Sequence, residues 1–174
     1  MGTPEFAVPS LRILIENKYN VVSVVTVSDK KKGRGQHLSE SAVKLFAGEN
    51  NLNILQPVNL KDIEFQDKIR SLNPDLIIVV AFRILPKEIF TIPQYGSFNL
   101  HASLLPKYRG AAPINWAVIN GETETGVTSF FLKEKVDTGN VIIQKRTSIE
   151  PEDNAGTLHD KLAVLGAEAV LETV

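Results

Sequence analysis

Two stretches of the chain are apolar with no polar alternation: residues 21–27 (VVSVVTV), broken only by Ser23 and Thr26, and 76–81 (LIIVVA). Rich in β-branched side chains and lacking a polar alternate, they predict strands covered on both faces. Helical patterns lie around them. Leu11, Leu14 and Ile15 form a stripe on a first helix opening near Pro9. Residues 41–47 (SAVKLFA) follow a candidate cap at Ser39, and residues 65–72 run to Asn73-Pro74, where the residue before proline leaves the helical region. Residues 53–56 (NILQ) predict a shorter strand. The resulting alternation of helix and strand predicts an α/β fold with right-handed crossovers. Gly2-Thr3-Pro4 reads as a turn feeding the first helix. In a doubly wound sheet such a turn follows a buried strand, so a strand is expected ahead of it that the sequence does not contain.

Beyond Pro93 the texture changes. Residues 97–101 predict a strand, and 112–119 a short helix. Residues 126–132 and 141–149 predict two strands joined through Asp137-Thr138-Gly139, a hairpin or meander at the end of the sheet. Leu158, Leu162, Leu165, Ala169 and Val170 recur at helical spacing, which predicts an amphipathic closing helix over 157–174.

Composition narrows the function. A chain of 174 residues, 43% hydrophobic and 22% charged, fits one globular domain. A net charge of −1 writes no general affinity for polyanions into the bulk, so any such contact needs a local patch. With no cysteine, disulfides, thiolate metal sites and thiol nucleophiles are excluded. Three histidines argue against a multi-histidine metal centre. The longest apolar run, residues 76–82, falls far short of the ~20 residues that cross a bilayer. Pro4, Glu5, Pro9, Arg12 and Glu16 interrupt any secretory h-region, so no membrane association is expected and the default compartment is the cytoplasm.

Asn99 and His101 are the first candidates for chemistry. Two apart on a strand, they share a face, with Phe98 and Leu100 on the other. The strand runs into Ser103-Leu104-Leu105-Pro106, which puts the pair near the carboxyl end, where open α/β sheets bind ligands. A carboxamide donor beside an imidazole suits acyl chemistry: one stabilises an oxyanion, the other moves a proton. A histidine satisfied by backbone groups fits the same spacing. Asp137 could orient His101 and stabilise its imidazolium, or simply form an Asx turn before Gly139. Lys30, Lys31, Lys32 and Arg34 make a basic loop, either a solvated connection or a phosphate contact. Lys107 and Arg109 flank Tyr108 as a second, weaker basic pair. Trp116 is expected in the core, His37 and His159 receive no role, and no GxGxxG spacing supports a dinucleotide site.

The segment SFNLHASLLPKYRG (97–110) closely resembles the folate-dependent formyltransferases. MGTPEFA (1–7) and RGAAPI (109–114) are similar to the branch of that family acting on methionyl-tRNA, and the resemblance continues through ETETGV (122–127) to the last helix. It implies a Rossmann-like domain, a mostly parallel twisted sheet with helices on both faces, spanning 1–174 as a catalytic domain without the family's first strand or its C-terminal β-barrel. It implies 10-formyltetrahydrofolate as formyl donor, no metal, methionyl-tRNA as acceptor and a monomeric enzyme of translation initiation. Asn99, His101 and Asp137 become the expected catalytic trio. Phe82, Arg83, Ile84, Leu85 and Pro86 fall on the loop whose main chain meets the pterin, although that loop usually carries a tyrosine-glycine pair and is one residue longer. Lys30, Lys31, Lys32 and Arg34 match an insertion that meets the tRNA acceptor end. The rivals are a formyltransferase acting on an amino sugar nucleotide, which shares the trio, and a non-catalytic nucleic-acid-binding module, which has no use for it.

Overall fold

The structure, a computed structural model, describes residues 1–32 and 37–174. A tight turn, Glu5–Ala7, leads into α1 (Val8–Glu16), whose Pro9 sits in the first turn, where a missing N–H costs nothing. There follow β1 (Val24–Val25), β2 (Lys30–Lys32), β3 (His37–Ser39), α2 (Ala42–Glu49), β4 (Ile54–Leu55) and α3 (Ile63–Leu72). The second half holds β5 (Ile77–Val80), α4 (Lys87–Phe90), β6 (Ser97–His101), α5 (Pro113–Ile119), β7 (Glu124–Phe131), β8 (Val141–Ser148) and α6 (Ala155–Thr173). Among the described residues no helix is long and apolar enough to cross a membrane.

β1 and β4 pair in parallel, and β5-β6-β7-β8 form a second sheet, parallel between β5 and β6 and antiparallel beyond. Met1 and Gly2 join the two. Gly2 pairs in parallel with Val80 and donates its N–H to the Val25 carbonyl at 3.0 Å, while the Val80 N–H donates to the Met1 carbonyl at 2.9 Å. These two residues hold the central place expected of an opening strand. Crowding there explains the glycine, since a Cβ would stand 2.7 Å from the Ala7 Cβ.

Alternation along the strands divides the core. Val80, Phe98, Leu100 and Val127 pack with α1, α2 and α6 on one face; Ile77 and Val79 pack with Phe65, Ile69 and Ile89 of α3 and α4 on the other. Helices therefore cover both faces, as the apolar runs predicted.

Several expectations need correction. β1 covers two residues rather than seven, because only Val24 and Val25 find register partners, at Ile54 and Leu55. The lysine run is not a plain loop: Lys30–Lys32 pairs antiparallel with His37–Ser39, while Arg34 lies outside the described residues. Ser39 thus belongs to a strand, and Ser41 caps α2, its Oγ accepting the Lys44 N–H at 3.1 Å. Trp116 is half exposed on α5 rather than in the core. The Asn73 expectation holds, with φ 44 ending α3.

α6 closes the larger core through Leu158, Leu162, Ala169 and Val170. A capping box starts it: the Asn154 side chain accepts the Gly156 and Thr157 N–H groups, and Thr157 Oγ1 accepts the Asn154 N–H. Just ahead, the Asp153 carboxylate accepts Lys161 Nζ at 2.6 Å and the Glu150 N–H at 2.9 Å. Lys161 first, then the Glu150 amide, hold the Asp153 carboxyl down from 3.8 to about 2. An acid whose pKa falls on folding binds its proton more readily when unfolded, so its stabilisation is complete above 3.8 and lost as pH falls towards 2. Asp153→Asn is expected to lower the urea midpoint at pH 7, with the difference from the parent shrinking through that window in a pH series of urea titrations.

Candidate active site

β6 sets the site. Phe98 and Leu100 sit buried beneath α6, so Asn99 and His101 project from the opposite face, in register with Val79 of β5 and Thr128 of β7. They line a cleft of about 620 Å³ at the carboxyl ends of β5 and β6. Among the described residues the Asn99 carboxamide has no hydrogen-bond partner.

The chain leaving β6 is tied down at once. Ser103 Oγ donates to the Lys107 carbonyl at 2.6 Å, Thr128 Oγ1 donates to the Ser103 carbonyl at 2.7 Å, and the Leu105 N–H donates to Thr128 Oγ1 at 3.1 Å. Tyr108, at φ 55, turns its carbonyl onto the His101 ring, 2.8 Å from Nε2. A carbonyl only accepts, so Nε2 carries a proton and Nδ1 is the nitrogen left for exchange. That Nδ1 lies 3.9 Å from Asp137 Oδ2, with the two side chains 8% and 11% exposed. Asp137 itself takes φ 51, and its Oδ2 accepts the Gly110 N–H at 2.8 Å. Its carboxylate thus bonds a segment 27 residues away rather than an amide of its own turn, which sets the Asx-turn reading aside. Backbone satisfaction of His101 describes one ring nitrogen and leaves the other open.

Outside this group, Tyr108 Oη donates to Glu122 Oε1 at 2.6 Å and accepts Asn120 Nδ2 at 3.0 Å. Lys107 Nζ also reaches Glu122, at 3.1 Å. The Tyr108 phenol and then Lys107 hold the Glu122 carboxyl below the usual carboxylate range.

The expected pterin loop forms one wall. Phe82, Arg83, Ile84 and Leu85 line the cleft, joined by Phe90, Leu132 and Val136. Pro86 does not line it, because it turns away as the residue preceding α4. The opposite wall comes from Pro4, Phe6, Ile114, Asn115 and His159. Sequence reasoning missed this wall. His159 stands edge-on to Phe6 with ring centres 5.3 Å apart, a meeting of two helical regions that local spacing does not reveal. Of the basic residues, Lys30, Lys31 and Lys32 form β2. Among the described residues no three His, Cys, Asp or Glu side chains cluster as metal ligands do.

The sequence profile of the formyl transferase family matches residues 1–174, the whole chain. The chain belongs to the formyl transferase family. Among its relatives is a methionyl-tRNA formyltransferase of Flavobacterium johnsoniae, 58% identical over 174 residues, covering 100% of this chain and 55% of the relative. The chain therefore spans about half the length of the relatives it matches. A phosphoribosylglycinamide formyltransferase from Anaplasma phagocytophilum shares the fold, with TM-score 0.81 and 20% identity over 99% of this chain and 80% of that one. An N-formyltransferase from Helicobacter canadensis, solved with folinic acid and dTDP-3-aminofucose, aligns at TM-score 0.75 and 26% identity, covering 98% of this chain and 60% of that one. The Rossmann-like α/β architecture is that of the family.

Gly139 lets the Asp137 turn lie against β7, since a Cβ there would stand 1.5 Å from the Phe131 carbonyl oxygen. Gly139→Ala is expected to destabilise by about 1–3 kcal/mol in urea titration. Gly48→Ala, in α2 with nothing near its Cβ, should stabilise by up to about 1 kcal/mol.

Proposed function

We propose that this chain transfers a formyl group from 10-formyltetrahydrofolate to the α-amino group of methionyl-tRNA. The observation that carries the reading is the meeting of Asn99, His101 and Asp137 at one end of an apolar cleft. The relatives named for this reaction supply the substrates. As to the donor, Phe82, Ile84, Leu85, Phe90, Leu132 and Val136 make an apolar slot suited to a flat ring system, with the polar trio beside it. The folate supplies the formyl carbon; the chain supplies polarisation and proton transfer.

When the amine attacks that carbon, negative charge grows on the formyl oxygen. The Asn99 carboxamide, without a hydrogen-bond partner among the described residues, and a protonated His101 answer that charge. His101 Nδ1 then gives its proton to the departing nitrogen and takes one in turn from the newly attached amine, directly or through water. Asp137 Oδ2, 3.9 Å from Nδ1, and the Tyr108 carbonyl, 2.8 Å from Nε2, flank the ring and keep it from turning. The lysine-rich β2–β3 hairpin suits an acceptor with a run of phosphates, longer than the diphosphate of a sugar nucleotide.

A second reading, transfer to an amino sugar nucleotide, is favoured by the likeness to the Helicobacter canadensis protein. Offering the protein 10-formyltetrahydrofolate with methionyl-tRNA or with a panel of amino sugar nucleotides separates the two. Formylated methionyl-tRNA is expected; transfer to a sugar alone would replace the proposal. Steeply salt-dependent tRNA binding without any transfer would point to a non-catalytic binding module. His101→Ala and Asn99→Ala should each lower turnover by about two decades or more, and near-parental turnover in either removes that residue from the mechanism.

A further inference from the structure

We propose that Arg83 is a positioning residue for the formyl donor, fastening the cleft wall to the chain that leaves β4. This rests on the folate reading above. The wall begins at Ala81, whose φ of 47 swings the chain abruptly out of β5. It ends at Leu85, buried in the smaller core. Between these points Phe82 and Ile84 line the cleft; Phe82 also packs against the smaller core, while Ile84 is 75% exposed and held by little around it.

Arg83 supplies the missing hold. Its Nη2 donates to the Pro57 carbonyl at 2.7 Å and its Nη1 to the Val58 carbonyl at 2.9 Å, spanning 26 and 25 residues of sequence. Its guanidinium also lies 5.2 Å from the centre of the Phe82 ring, against a cleft-lining side chain. Two consecutive carbonyls answer the two prongs of one planar fork, which fixes direction as well as distance. A lysine ammonium can replace the charge but not the fork.

The consequences are local. Val58 is 85% exposed, so without Arg83 its carbonyl turns to water. What is lost is the fixed course of residues 82–85, and with it the preorganised wall that meets the donor. Asn99, His101 and Asp137 rest on β6 and on the β7–β8 turn, and among the described residues Arg83 makes no hydrogen bond to either. The effect should therefore fall on donor affinity and spare the chemical step.

The test measures binding of 5-formyltetrahydrofolate by calorimetry, together with kcat and both KM values, in the parent, Arg83→Ala and Arg83→Lys. Arg83→Ala should weaken donor binding and raise donor KM about tenfold, with Arg83→Lys restoring little. Saturated kcat and the KM for methionyl-tRNA should stay within about twofold of the parent. The thermal midpoint should hold in both variants. Unchanged donor affinity overturns the inference, and so does a joint fall in kcat, both affinities and thermal midpoint. If the parent binds the folate and transfers formyl groups while Arg83→Ala matches it, this inference fails alone; a parent that binds no folate overturns the functional reading as well.

Discussion

The alternation of β6 is the constraint on which the rest depends. Phe98 and Leu100 are locked into the core beneath α6, and their neighbours Asn99 and His101 have no choice but to face the cleft. A slip of one residue would bury the carboxamide and imidazole and expose two large apolar side chains. Parallel pairing with β5 and antiparallel pairing with β7 fix that register from both sides. The hydrophobic force that holds the strand is thus also what aims its polar pair.

Around the pair the backbone is held in a sparsely populated region. Ala81, Tyr108, Ala112 and Asp137 all take left-handed φ values between 47 and 55, and all line the cleft or touch one of its side chains. Non-glycine residues resist this region by about 1 kcal/mol or more each. The opposing contacts are specific. Tyr108 is gripped through its phenol by Glu122 and Asn120, and Asp137 through its carboxylate by the Gly110 amide. Exposed ion pairs such as Lys87 with Glu134 add little beside them.

Elements with a clear period were legible in the sequence. β6, the β7–β8 hairpin and α6 follow from alternation and helical spacing, and the end of α3 follows from Asn73 before a proline. β1 was overread because apolar character says how deeply a segment is buried, not how many of its residues find ladder partners. The β2–β3 hairpin escaped because a run of lysines carries no alternation. α4 escaped because four residues make barely one turn. Within the site, Asn99 and His101 were readable from a spacing of two. Asp137 was not, since the 35 residues between it and His101 carry no trace of a 3.9 Å approach; the family resemblance named it. Phe6 and His159 had neither signal, for only packing brings α6 over the first turn.

The exposed position of Trp116 turns to practical account. It is the chain's one tryptophan, it sits half in water on α5, and its neighbour Asn115 lines the cleft. An indole in that setting emits according to how wet its surroundings are. The protein accordingly carries one built-in fluorophore on the helix whose first turn lines the cleft, against a background of three tyrosines.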